Sequence, residues 1–130
     1  MFQRTATPVR LTGVGPAETF FAPAVRADAK ALHVAHVDER ARCIHLAAYP
    51  REGAEERSPI PAILRDAAEL GSVGLVLAHS QDEPLSARDT EGWTNTRQLA
   101  AAADLIQVTL LDHLVFHGRD CTSLRRLGVI

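Results

Sequence analysis

The distribution of apolar and polar positions divides the chain into short blocks separated by turn residues. Ala31 to Val37 and Cys43 to Tyr49 are mainly apolar runs of strand length on either side of the charged segment Asp38-Glu39-Arg40. They predict an antiparallel hairpin. Ala62 to Leu70 places Ile63, Leu64, Ala67 and Ala68 at helical spacing, with Gly71 as the stop. Val73 to Ala78 is apolar throughout and bounded by turn signals, which predicts a strand covered on both faces. After a loop from Ser80 to Leu85, Ser86 is suited to cap a helix from about Ala87 to Ala103. Trp93 would lie one turn into that helix, buried with Leu99. Gln107 to Phe116 predicts a further strand, and Thr122 to Leu124 a short last one.

Upstream, Gly13-Val14-Gly15 makes a turn and Pro16 suits the first position of a short helix through about Val25, which Pro23 is expected to end or distort. The order is helix, two strands, helix, strand, helix, two strands, without internal repeat or linker. That order predicts one α/β domain, with a central mixed sheet, Val73 to Ala78 inside it and helices packed against it. Residues 1–29 are expected to belong to the same unit as residues 30–130.

Composition narrows the function classes. A chain of 130 residues with 46% hydrophobic content can bury one real core. Its net charge is −2 and only Arg125 and Arg126 are adjacent basic residues, so no stripe exists to neutralise phosphates. Nucleic acid is therefore not an expected partner. No apolar run approaches the roughly 20 residues that cross a bilayer. Two distant cysteines, Cys43 and Cys121, and the lack of a leader-like opening lead to the expectation of a reduced, cytoplasmic protein.

The densest polar cluster follows the buried strand: His79-Ser80-Gln81-Asp82-Glu83, then Ser86 and Asp89. The carboxyl end of a central strand is a common location for an α/β site. Each residue also has an ordinary structural use: His79 can cap the strand, Ser86 the helix, and Asp89 can favour the helix N-terminus electrostatically. Other histidines invite a different centre. His36 and Asp38 share one side of a strand, and His113 would have to approach them, but His33, His36, His45, His113 and His117 read better as satisfied or exposed side chains.

Taken together, His79, Ser86-Ala87-Arg88-Asp89, Thr96-Arg97-Gln98-Leu99, Asp112-His113-Leu114-Val115-Phe116-His117-Gly118 and Ser123 stand in an order that resembles the RadC-like branch of the JAB/MPN family. Val34 to Asp38 resembles that family's first core strand, and Ser58-Pro59-Ile60-Pro61 the entry to the helix before the metal strand. The resemblance covers roughly Lys30 to Ile130 and implies a JAB/MPN-like (cytidine-deaminase-like) α/β fold. It further implies a zinc metallohydrolase acting on amide or isopeptide bonds. Zinc would be held by two histidines and an aspartate, with a glutamate as general base and a serine stabilising the oxyanion.

Carried over by position, His79 is the first histidine ligand, Asp89 the aspartate ligand and Ser86 the oxyanion serine. Gln81 falls at the second histidine position and Lys30 at the expected general-base position. The loop between Gln81 and Ser86 is also shorter than the family's HxHPSG pattern requires. A carboxamide oxygen is a weaker zinc donor than imidazole. A divalent ion 4 Å from the Lys30 ammonium would be repelled by roughly 8 kcal/mol at an effective dielectric of 20.

These departures lead to the expectation of an interaction module that has lost the zinc site, binding a protein partner or itself and needing no cofactor. The alternative is a divergent zinc-dependent metallopeptidase. A role in DNA repair follows from family association alone. Gly13-Val14-Gly15 resembles the turn of a helix-hairpin-helix DNA-binding motif, but Pro23 leaves little room for a complete second helix.

Overall fold

The computed structural model describes residues 10–51, 58–82 and 93–130. Within them the chain runs α1 (Val14–Ala27), β1 (Ala31–Val37), β2 (Cys43–Pro50), α2 (Ile60–Leu70), β3 (Gly74–Ser80), α3 (Thr94–Leu105), β4 (Thr109–His117) and β5 (Asp120–Ser123). The strands form a single mixed sheet in the order β2-β1-β3-β4-β5. β3 lies at its centre, antiparallel to β1 and parallel to β4, as its unbroken apolar run requires.

The side-chain alternation of β3 divides the core into two layers. Val76 and Ala78 pack with Phe21 and Val25 of α1 on one face. Leu75 and Leu77 pack with Ile63 of α2 and Leu99 of α3 on the other. The molecule is thus a three-layer α/β/α sandwich. Gly74 opens β3 where a β-carbon would meet Val37 Cγ2 at 2.9 Å and Leu111 Cδ1 at 3.2 Å.

Three sequence expectations are corrected. Of the two effects expected of Pro23, it does not end α1, which continues two residues past Val25 to Ala27. Ala17, Phe21 and Val25 recur every four residues and clamp both halves of the helix to the sheet, while Pro23 faces solvent. On α2 the buried stripe is Ile63, Ala67 and Leu70, and Ala68 is exposed. Gly71 ends that helix in a left-handed conformation at φ 68°, as its position suggested. Trp93 is half-buried at the N-cap of α3 and does not sit within the helix, which extends to Leu105. The expected start of that helix at Ala87 lies outside the described residues.

The β1–β2 turn is built on Asp38. Its carboxylate accepts the backbone N–H groups of Arg40 and Arg42, each at 2.9 Å, and pairs with Arg42 Nε at 3.0 Å. Burial alone would raise the Asp38 carboxyl; the backbone bonds from Arg42 and Arg40 and the Arg42 side chain outweigh it and hold the group below its ordinary value. Among the described residues no helix is long and apolar enough to cross a membrane.

Candidate functional site

Alternation along β3 puts His79 on the face shared with Leu75 and Leu77, at the strand's carboxyl end beneath α2 and α3. On β4 a bulge shifts the register, so that Leu75 pairs with Leu110 but Val76 with Asp112. The bulge turns His113 toward the same face. His79 Nδ1 and His113 Nε2 meet at 2.7 Å, and His113 Nδ1 lies 3.0 Å from Thr96 Oγ1 of α3. His79 Nε2 lies 3.4 Å from Gln81 Oε1. The Trp93 ring stands 5.8 Å from the His79 ring and 5.5 Å from the His113 ring.

Donor and acceptor accounting gives these contacts a direction. The Gln81 carboxamide oxygen accepts, so His79 Nε2–H donates to it. His79 Nδ1 then carries the lone pair and accepts from His113 Nε2–H, and His113 Nδ1 accepts the Thr96 hydroxyl proton. Every ring nitrogen in this chain is engaged. With the Gln81 oxygen in this place, the opposite tautomers would leave the His79 Nε2 lone pair facing it without a hydrogen bond.

Both rings are held neutral. Burial pushes His79 down to about 4, with the nearby positive charge of Arg51 adding to the effect and the Gln81 bond opposing it. His113 is lowered well below its ordinary value by burial first, then by His79 and Arg51. Arg51, just past the end of β2, donates from Nη1 to the Ser80 carbonyl at 2.7 Å. A cavity of about 200 Å³ opens above the histidines between Arg51, the N-terminal ends of α2 and α3, and Leu32 of β1.

The positions picked out from sequence are only partly brought together. His79 and Gln81 are adjacent at the site. Lys30 is exposed in the turn before β1 and is not part of the cavity wall, to which the same stretch contributes Leu32. Ser86 and Asp89 lie outside the described residues. Among the described residues no group of three His, Cys, Asp or Glu side chains is placed to hold a metal ion. A catalytic zinc takes three protein ligands and one open position, and of the positions picked out for it the described residues hold His79 and Gln81.

The remaining histidines have other uses. His36 is buried between Ser72 Oγ at 3.0 Å and Tyr49 Oη at 3.1 Å, level with Leu75 of β3, whereas His113 is level with Leu77. His33 bonds the Asp28 carbonyl, and His117 Nδ1 lies 3.4 Å from the Gln81 carbonyl oxygen. Sequence reasoning did not foresee the pairing of His113 with His79 or the arrival of Arg51 and Thr96. The signal was the Asp112-His113 pair, whose two residues divide the work. The Asp112 carboxylate accepts from the backbone N–H of His113 and of Arg125 and from the Ser123 hydroxyl, tying β5 and the chain beyond it to β4.

The sequence profile of the RadC-like JAB domain matches residues 17–129. A UPF0758 protein of Cupriavidus taiwanensis is 33% identical over 76 residues, covering 58% of this chain and 29% of that protein. A second UPF0758 protein, from Cupriavidus necator, is 35% identical over 78 residues, covering 60% of this chain and 30% of the relative. The matched part of this chain thus spans under a third of the length of either relative. With the mixed sheet, the flanking helices and the landmarks His79, Asp112-His113 and Ser123 in their places, this chain belongs to the RadC-like JAB domain family.

Proposed function

We propose that this chain is a non-catalytic RadC-like JAB domain, a cytoplasmic interaction module that has lost the zinc metallohydrolase chemistry and acts by binding a protein partner or a second copy of itself. The observation that carries this reading is the placement of His79 between His113 and Gln81, at 2.7 and 3.4 Å. Both of its nitrogens are occupied by hydrogen bonds. Arg51 adds a cation beside them, and a like charge disfavours a divalent ion.

A second reading, a divergent zinc-dependent metallopeptidase, draws on the same pair. A histidine that ligates a metal usually donates its other N–H to an outer partner, and His113 is positioned to be such a partner for His79. The two readings require opposite tautomers of His79.

Elemental analysis of protein purified without chelator, combined with an isopeptide hydrolysis assay, decides between them. The non-catalytic reading expects no stoichiometric zinc and no hydrolysis. One zinc per chain, with hydrolysis abolished by Asp89→Ala, overturns it.

A further inference from the structure

The cavity above His79 and His113 has an unusual charge balance for a place where the family's metal would sit. Among the described residues Arg51 is the one charged side chain lining it, and no carboxylate does. Apolar side chains, among them Leu32, Ile63, Leu99 and the Trp93 ring, share the rest of the wall with Ser58, Asn95, Thr96 and the two histidines. One Arg51 N–H is spent on the Ser80 carbonyl, and a guanidinium has five. Ser58 Oγ accepts the Ile60 N–H at 3.3 Å and keeps a proton to donate. The N-terminal ends of α2 and α3, whose backbone dipoles also favour negative charge, form two sides.

Resting on the non-catalytic reading, we infer that this cavity binds a small monocarboxylate with an apolar body, its carboxylate on Arg51 and its apolar part against Ile63, Leu99 and Trp93. The size fits that class. A volume of about 200 Å³ is below the several hundred Å³ typical of drug-sized ligand sites and suits a group of about one apolar amino-acid residue. The guanidinium matches a carboxylate with paired N–H donors, and Arg51 is the one cationic side chain among the described residues of the wall, which suits a single negative charge. Such an end group occurs on free carboxylic acids and at polypeptide C-termini.

Trp93 is the chain's single tryptophan and lines the cavity, so its emission reports on occupancy. Chelator-treated, desalted protein is titrated with N-acetyl-leucine, with N-acetyl-leucinamide and with a tetrapeptide ending in leucine as the free acid. Calorimetry on the same samples covers a ligand that leaves the emission unchanged. The acid is expected to saturate, with the amide bound at least about tenfold more weakly, since a charge-assisted hydrogen bond is worth that much or more. Arg51→Gln, which keeps a donor for Ser80, is expected to bring the acid down to the level of the amide without moving the melting temperature, and Arg51→Lys to retain part of the preference. Binding of the tetrapeptide points to a chain end as the source, and binding of the small acid alone to a free metabolite. Equal affinity for acid and amide, or no saturable signal by either method, overturns the inference. Zinc content is measured separately: stoichiometric zinc counts against the non-catalytic reading, whereas zinc-free protein that ignores the acid counts against this inference alone.

Discussion

His79 and His113 join adjacent parallel strands through a ring-to-ring hydrogen bond of 2.7 Å, both imidazoles buried and neutral. Only one of two neighbouring nitrogens can hold the shared proton, so the state of one ring fixes the other. With the Gln81 carboxamide oxygen toward His79, the hydrogen-bond chain from Thr96 through His113 and His79 to Gln81 runs in one direction; turning the amide over would reverse it throughout. Nitrogen-15 spectra at neutral pH are therefore expected to show His79 protonated at Nε2 and bare at Nδ1. His113→Phe removes the donor and is expected to shift His79 toward a mixture of tautomers. A wild-type His79 protonated at Nδ1 would instead supply the bare Nε2 that a metal needs and would support the zinc-dependent reading.

Acid stability carries a second prediction, at His36. Burial first and then the neighbouring His45 on β2 lower this ring from 6.5 to about 4, with Asp66 on α2 partly opposing them. Ser72 and Tyr49 complete its surroundings, and Tyr49 donates onward to Asp66 at 2.6 Å. The folded pKa lies below the unfolded one, so the unfolded chain binds the extra proton first. The contribution is full above pH 6.5 and is lost as pH falls from there toward 4. The gap corresponds to about 3 kcal/mol at most. Urea denaturation of the wild type and of His36→Gln at pH 7 and pH 4.5 isolates this share, because other buried histidines remain in both proteins. An equal loss of stability in the two proteins on acidification would show that His36 is not the origin.

How far the sequence reveals this molecule depends on whether a feature is local. The central strand was legible because Val73 to Ala78 has no polar residue to turn toward water, and the α2 stop because Gly71 adopts a conformation that suits glycine. Pro23 misled because its cost to α1 is local, whereas Phe21 and Val25 secure the helix through contacts with the sheet. The site was hidden by the β4 bulge. Leu110 packs on the α2–α3 face and Leu114 on the α1 face, although strict alternation would give both the same side. A regular strand would therefore have aimed His113 away from His79. No pattern in Thr109 to His117 marks where the extra residue falls.

Trp93 offers a third test, modified by its position. It is half-buried at the start of α3, against Val115, Leu124 and Val129 as well as the two histidine rings. Replacing a fully buried tryptophan by alanine costs about 3–5 kcal/mol, and partial exposure brings the expectation for Trp93→Ala to about 2 kcal/mol. Trp93→Phe retains a ring over the histidines and is expected to lose under half of that. Equilibrium denaturation followed by circular dichroism measures both variants. A loss below about 0.5 kcal/mol for alanine would mean that this packing is not maintained in solution.

The narrowest steric margin in the sheet is at Gly74, and it tests the fold without reference to the site. A β-carbon there would lie 2.9 Å from Val37 Cγ2, closer than nonbonded carbons tolerate, with Leu111 Cδ1 at 3.2 Å on the other side. Val37 is buried on β1 and stiff at its branched β-carbon, so it cannot give way easily, whereas Leu111, the extra residue at the β4 bulge, is half-buried. Alanine has intrinsic conformational preferences at least as favourable as glycine's in a strand, so any destabilisation measures overpacking. Gly74→Ala is expected to lose about 1–3 kcal/mol in chemical denaturation, the usual cost of an extra methyl group in a filled interior. The paired variant Gly74→Ala with Val37→Ala removes the nearer clash at the cost of a small cavity. If the clash is the cause, the double mutant will be more stable than the sum of the two single losses predicts, with a coupling of about 1 kcal/mol. Simple additivity would place the strain on the Leu111 side, and a neutral Gly74→Ala would show that the junction of β1, β3 and β4 is more open than the structure has it.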